Sequence, residues 1–237
     1  MNKELKMSFW DHLDEFRNRL LVVLGSIFVG SLVGYLLSEK FIFFLMLPSE
    51  ELNISFQVIT VTSMFMIKLF VCFFIGLIIG FPILIYNLIQ FILPAFEIKL
   101  KKILLLTIVS LFLFLIGLSF SYFIIIPFIL KFLTSITFDG ISVDYNFTLG
   151  SYLSYMIWTM FINGMIFQMP IISLVGARVG ILTSEFLTHY RRHCFIVFLI
   201  ISALITPPDP LSQILVCIPF AFLYELSIIV SKIFKKQ

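Results

Sequence analysis

Two carboxylates, each about one helical turn ahead of an arginine, are the first groups able to do chemistry: Asp14 with Arg17 and Glu15 with Arg19. Residues three or four apart share a helix face, so each couple can form an intrahelical ion pair. Such a face can simply be solvated and self-paired. It can also receive a cationic ligand, because a carboxylate is the natural bidentate partner of a guanidinium. Deeper in the chain Gln168, in Phe167-Gln168-Met169-Pro170, stands in an apolar run with Asn163 five residues before it. Polar side chains in such surroundings turn inward, to join a neighbouring helix or to line a path. Asp209 interrupts another apolar stretch in Thr206-Pro207-Pro208-Asp209-Pro210-Leu211-Ser212-Gln213. That run reads as a tight turn with Ser212 or Gln213 capping the helix that follows, or Asp209 itself as the cap. His189 and His193 lie four apart, but two arginines stand between them and no third ligand is near, so a basic loop is expected and no metal. Cys72, Cys194 and Cys217 show neither metal-type nor disulfide spacing. No H-E-x-x-H, G-x-S-x-G or P-loop occurs, so neither catalytic residues nor a cofactor are expected.

The elements that position these groups must live in lipid. The 237 residues are 61% hydrophobic and 12% charged, with a mean hydropathy of +1.13, and no soluble surface can be assembled from them. The net charge of +3 is too small to suggest nucleic acid. Crossing the hydrocarbon core takes about 20 apolar residues in a helix. Spans are expected at residues 20–38, 69–96, 103–130 and 147–177, followed by two short ones at 192–207 and 210–230. Each of the last two rests on a charge-free run of 15 residues, a reach of only about 22 Å, and the mismatch should thin the bilayer locally. Before the first span, Phe9, Leu13, Phe16 and Leu20 recur at helical spacing after Ser8, so residues 1–19 are expected to form an amphipathic interfacial helix.

Positive charge orients the chain. Thirteen of the sixteen Lys and Arg residues fall on one side of a six-span layout, leaving only Lys40, Lys68 and Lys131 on the other. Because such residues accumulate in cytoplasmic loops, both termini belong inside. Gly30 with Gly34, Gly76 with Gly80, and Gly117 with Ser121 would let helices approach closely. Pro82, Pro127 and Pro170 should kink their spans. The expected fold is thus an all-α membrane protein: one domain over 1–237, six transmembrane helices in a kinked concave bundle, the last two short. The outer loops, 39–68 and 131–144, should lie on the far membrane surface.

In this order and at these intervals the motifs resemble TatC, the polytopic subunit of the twin-arginine protein translocase. His12-Leu13-Asp14-Glu15-Phe16-Arg17-Asn18-Arg19-Leu20 is similar to the family's H-L-x-E-L-R-x-R-L signature. Gly117 through Tyr122-Phe123 to Pro127 resembles its third-helix pattern, and Thr206 to Gln213 its T-P-P-D-x-x-S-Q turn. Pro48, Phe91 through Pro94, and Tyr224-Glu225 also fall where the family has similar residues. The resemblance covers essentially the whole chain. It implies a receptor for twin-arginine signal peptides of folded precursors in a bacterial inner membrane, or an organellar one. Such a receptor assembles into hetero- and homo-oligomers with single-span TatA-type and TatB-type partners for export driven by the proton-motive force. By the same resemblance Glu15 holds a signal arginine, Arg17 and Arg19 shape its surroundings, and Phe91 borders them. Gln168, Thr206, Asp209 and Gln213 then meet the signal's apolar part or a partner helix. Pro48, Pro82, Pro94, Gly117, Tyr122, Pro127, Pro170 and Glu225 are read as structural.

The sequence departs from the family twice. The inner-loop glutamate is replaced by Leu100, with Glu97 upstream as its candidate substitute, and the fourth-helix glutamate is replaced by Gln168. A neutral amide cannot relay a charge. The competing class, a six-span small-solute transporter or channel, would require several polar groups converging at the midplane and usually a repeat. Neither is found in the sequence.

Overall fold

The computed structural model describes residues 9–50, 54–92, 100–135, 146–206 and 209–233. The first helix, α1 (Phe9–Glu50), runs unbroken for 42 residues, about 63 Å at the helical rise. It corrects two expectations. From Phe9 onward the amphipathic segment and the 20–38 span are one helix, residues 1–8 of that segment lying outside the described residues, and residues 39–50 belong to the helix rather than to a surface loop. Ser38-Glu39-Lys40 contains no helix breaker, and beyond it Leu45 is fully buried, so packing carries the helix past the point where hydropathy falls. Pro48 lies inside α1 and deprives the Phe44 carbonyl of its usual donor. The Tyr122 hydroxyl donates to that carbonyl at 2.7 Å, and the Tyr152 hydroxyl to the neighbouring Leu45 carbonyl at 3.0 Å.

Helix α2 (Ser63–Ile92) contains Pro82, and α3 (Leu100–Phe120) continues through a π turn (Ser121–Ile125) into α4 (Ile126–Ser135). The π turn precedes Pro127, whose missing N–H leaves the Phe123 carbonyl without its α-helical donor; Ile126 N–H bonds Ser121 instead. Helix α5 (Leu149–Ile166) ends at Phe167-Gln168 and α6 (Met169–Val179) begins anew, so Pro170 opens a helix instead of kinking one. A short α7 (Ser184–His189) leads to α8 (Arg191–Ile205) and α9 (Pro210–Ile233). The expectation of two short final spans is half corrected. At 15 residues α8 reaches about 22 Å, whereas α9 has 24 and continues past Glu225, whose charge is matched by Arg191 of α8 at 2.9 Å. Among the described residues five helical stretches are long and apolar enough to cross a membrane: α1, α2, Leu100–Ser135, Leu149–Val179 and α9. The all-α expectation also misses a parallel pair of three-residue strands, β1 (Ser55–Gln57) with β2 (Asn146–Thr148).

Glycine sets two helix crossings. Where α1 meets α2, a Cβ on Gly34 would stand 2.8 Å from the Cys72 carbonyl and one on Gly76 2.6 Å from that of Ile27. Where α3 meets α5, a Cβ on Gly117 would stand 2.8 Å from the Gly164 Cα. Backbones at that separation exclude any side chain. One buried apolar cluster joins α1, α2, α3, α5 and α6 around Phe74, Phe114 and Met156; a second joins the π turn and α4 to α8 and α9 around Phe198 and Phe220.

Candidate functional site

At the start of α1 the Glu15 carboxylate is half spent. Arg19 donates from Nε and Nη2 to Oε1, at 2.8 and 2.6 Å, as the four-residue spacing predicts. The same guanidinium reaches across to α2, donating from Nη1 to Gln90 Oε1 at 2.9 Å and to Asn87 Oδ1 at 3.4 Å. The second Glu15 oxygen, Oε2, is buried and accepts no hydrogen bond; Nδ1 of His12 lies 3.9 Å away. That approach is an ion pair only when the imidazole is protonated. The His12 ring stacks on Phe91 with centroids 4.3 Å apart and planes 10° from parallel, and Phe16 tilts against Phe91 at 5.4 Å. Arg17 is exposed and pairs with Asp14 at 3.4 Å, pointing to a separate surface contact. Sequence reasoning thus finds Glu15, Arg19 and Phe91 together, with Arg17 apart. Glu97 and Pro94 lie outside the described residues. Asn87, Gln90 and His12 were missed as site groups, although two amides three residues apart within an apolar run are a visible signal.

The last turns of α2 serve a second feature. While Asn87, Gln90 and Phe91 face the carboxylate, Leu88, Ile89 and Ile92 line a groove of about 470 Å³ closed on its other sides by α3, α5 and α6. Gln168 is its one polar side chain among the described residues. This amide is 2% exposed and is spent locally: Oε1 accepts from the Ser110 hydroxyl, and Nε2 donates to the carbonyls of Ser110 at 3.2 Å and Gly164 at 3.5 Å. Donor and acceptor are both used, which an ionised carboxylate could not manage. Asn163 donates to the Thr159 carbonyl within its own helix, so the two amides do not converge on a polar path.

The far turn is a structural joint. Oδ2 of Asp209 accepts from the Ser212 N–H at 2.7 Å, making Asp209 the cap of α9 rather than Ser212 or Gln213. Gln213 instead donates to the Leu199 carbonyl at 2.9 Å, tying α9 to α8, and Thr206 donates to Ser202. The Tyr155 hydroxyl satisfies the Ile205 carbonyl at the end of α8, and Tyr224 does the same for Leu187 of α7. No cluster of metal-ligating side chains occurs among the described residues.

Comparison with known proteins places this arrangement. Residues 11–219 match the family described as Sec-independent protein translocase protein (TatC). TatCy of Bacillus subtilis is 35% identical over 96% of this chain and 89% of its own length, and TatC of Listeria innocua is 34% identical over 96% and 92%. A crystal structure titled as the twin arginine translocase receptor TatC superposes with a TM-score of 0.82 at 28% identity, covering 95% of this chain and all of the other.

Proposed function

From the premise that the chain belongs to the TatC family of Sec-independent protein translocases, a multi-pass membrane translocase component and not an enzyme, we propose that it is the signal-peptide receptor of its complex. One observation carries this reading: the site already holds a guanidinium. Glu15, Gln90 and Asn87 furnish three acceptors to Arg19 and leave one buried carboxylate oxygen over, which is what a receptor for paired arginines requires. The apolar groove beside it, sharing the end of α2, suits the hydrophobic stretch that follows the arginines of an export signal.

In this reading the chain sits in a bacterial inner membrane with both termini cytoplasmic, and α8 completes a sixth, short crossing. The bundle is concave and gathers TatA-type and TatB-type single-span partners around it. Arg17 provides a surface contact beside the site. The solute-transporter alternative is not favoured, because among the described residues the groove offers no second polar side chain and Gln168 is already satisfied. The test is photocrosslinking of a twin-arginine precursor to the full-length protein in membranes. Glu15→Gln should abolish the crosslink while the protein remains inserted; an unchanged crosslink would overturn the assignment.

A further inference from the structure

The Glu15 site holds two resident groups of very different grip. Arg19 has a side chain only 20% exposed and makes hydrogen bonds to Glu15, Gln90 and Asn87. His12 is 45% exposed, and its hold on the site consists of the Phe91 stack and the 3.9 Å approach to Oε2. Displacing Arg19 would break several charge-assisted bonds, each stronger than a neutral one. Displacing His12 would cost one stack and a contact too long for a hydrogen bond.

Resting on the assignment of Glu15 as the arginine acceptor, we propose that His12 is a resident stand-in for a ligand guanidinium: it covers Phe91 and Oε2 of Glu15 until an incoming arginine takes its place. The chemistry of the vacated position selects its occupant. A guanidinium is flat and delocalised like imidazole, so it lies on the Phe91 face where the ring now lies, and its N–H groups reach the oxygen that now has no donor. That oxygen is the favourable part of the exchange, because a buried acceptor without a partner is costly and the ligand relieves it. An ammonium has no face to stack, so the position favours arginine over lysine. Arg19 remains, fixing the carboxylate plane through Oε1; it is a positioning residue.

The exchange gives His12 an effect of unusual sign. A residue that only adds contacts weakens binding when removed, whereas a stand-in strengthens it. The measurement is equilibrium binding of a synthetic signal peptide with two adjacent arginines, and of its dilysine counterpart, to the full-length protein in lipid nanodiscs. His12→Ala should tighten the diarginine peptide about three- to tenfold, the scale of a stacked or cation–π contact. Phe91→Leu should weaken it by a similar factor and shrink its advantage over dilysine. His12→Gln, which removes the ring but keeps a polar side chain, should also tighten binding, and thermal unfolding of each variant reports its folding. If both His12 variants, folded, bind no more tightly than the parent while Glu15→Gln still abolishes binding, the stand-in is overturned and the receptor assignment stands. If Glu15→Gln leaves binding intact, both fall.

Discussion

Two amide-bearing regions, one beside the groove and one in its wall, solve opposite problems with similar groups. At Glu15, the amides of Gln90 and Asn87 leave a carboxylate oxygen unused. At Gln168, hydroxyl, amide and two carbonyls close on one another with nothing left over on the side chain. The first region is partly exposed and charged; the second is buried and neutral. A spare buried acceptor does not by itself mark a ligand site, since Asn163 Oδ1 and Asp209 Oδ1 also lack partners. Under the receptor proposal it is the charge and partial exposure at Glu15 that set it apart, whereas the closed network at Gln168 fits a joint between helices.

The comparison breaks most readily at Glu15. Glu15→Gln keeps the shape but removes the charge, and diarginine peptide binding should fall by about 2–5 kcal/mol, the cost of truncating a buried charge pair. Titration of the labelled peptide measures it, and a loss below tenfold would mean that the surplus oxygen is not the acceptor. Next in size is Gln168→Leu, which takes from the buried Ser110 hydroxyl its Gln168 acceptor, while the Ser110 carbonyl keeps its donor within α3. Unmet buried groups cost about 1–3 kcal/mol each, so thermal unfolding in detergent should shift markedly downward while peptide binding at Glu15 is kept. Were binding lost at full stability, Gln168 would be a contact and not a joint. Gln168→Glu sharpens the same point: an ionised carboxylate cannot donate to the Ser110 and Gly164 carbonyls, so the variant should be destabilised on a similar scale.

How far this contrast was readable from sequence follows from what each region is made of. Glu15 and Arg19 meet because four residues on a helix make them neighbours, a local rule that holds before any folding. Their partners on α2 are set by the crossing of α1 with α2, where Gly34 and Gly76 let the backbones touch, and no local rule fixes which α2 residues then face Arg19. Gln168 was legible as an inward polar group, but not its pairing with Ser110, fifty-eight residues away. Helix lengths failed for a related reason. The first span is expected to end at 38, yet Leu45 is buried and α1 continues to Glu50; the last, expected over 210–230 on a charge-free run of 15 residues, is a full 24-residue helix with Glu225 paired.

The Pro48 joint is a smaller test of the closed-network principle. Tyr122 supplies the donor that Pro48 removes from α1, so Tyr122→Phe should cost about 1–3 kcal/mol through a stranded Phe44 carbonyl, seen as a lower unfolding temperature with the Phe44 ring stack intact. A neutral outcome would mean that the carbonyl finds another donor.

The smallest effect on stability is expected beside the largest effect on binding. Arg17 is two residues from Arg19 on the same helix, but its pair with Asp14 is open to solvent, with the two side chains 67% and 65% exposed. Exposed pairs contribute about 0–1 kcal/mol and are screened by salt, so Arg17→Ala should leave unfolding nearly unchanged. Arg19→Ala removes the guanidinium that joins Glu15 to α2, and it should destabilise the α1–α2 contact by more than Arg17→Ala does. Measured together at low and high ionic strength, the two variants separate a charge built into the site from one at its edge: only Arg17→Ala should show an effect on peptide binding that fades with salt. If both fade alike, Arg19 acts through the surface field and not through the carboxylate it holds.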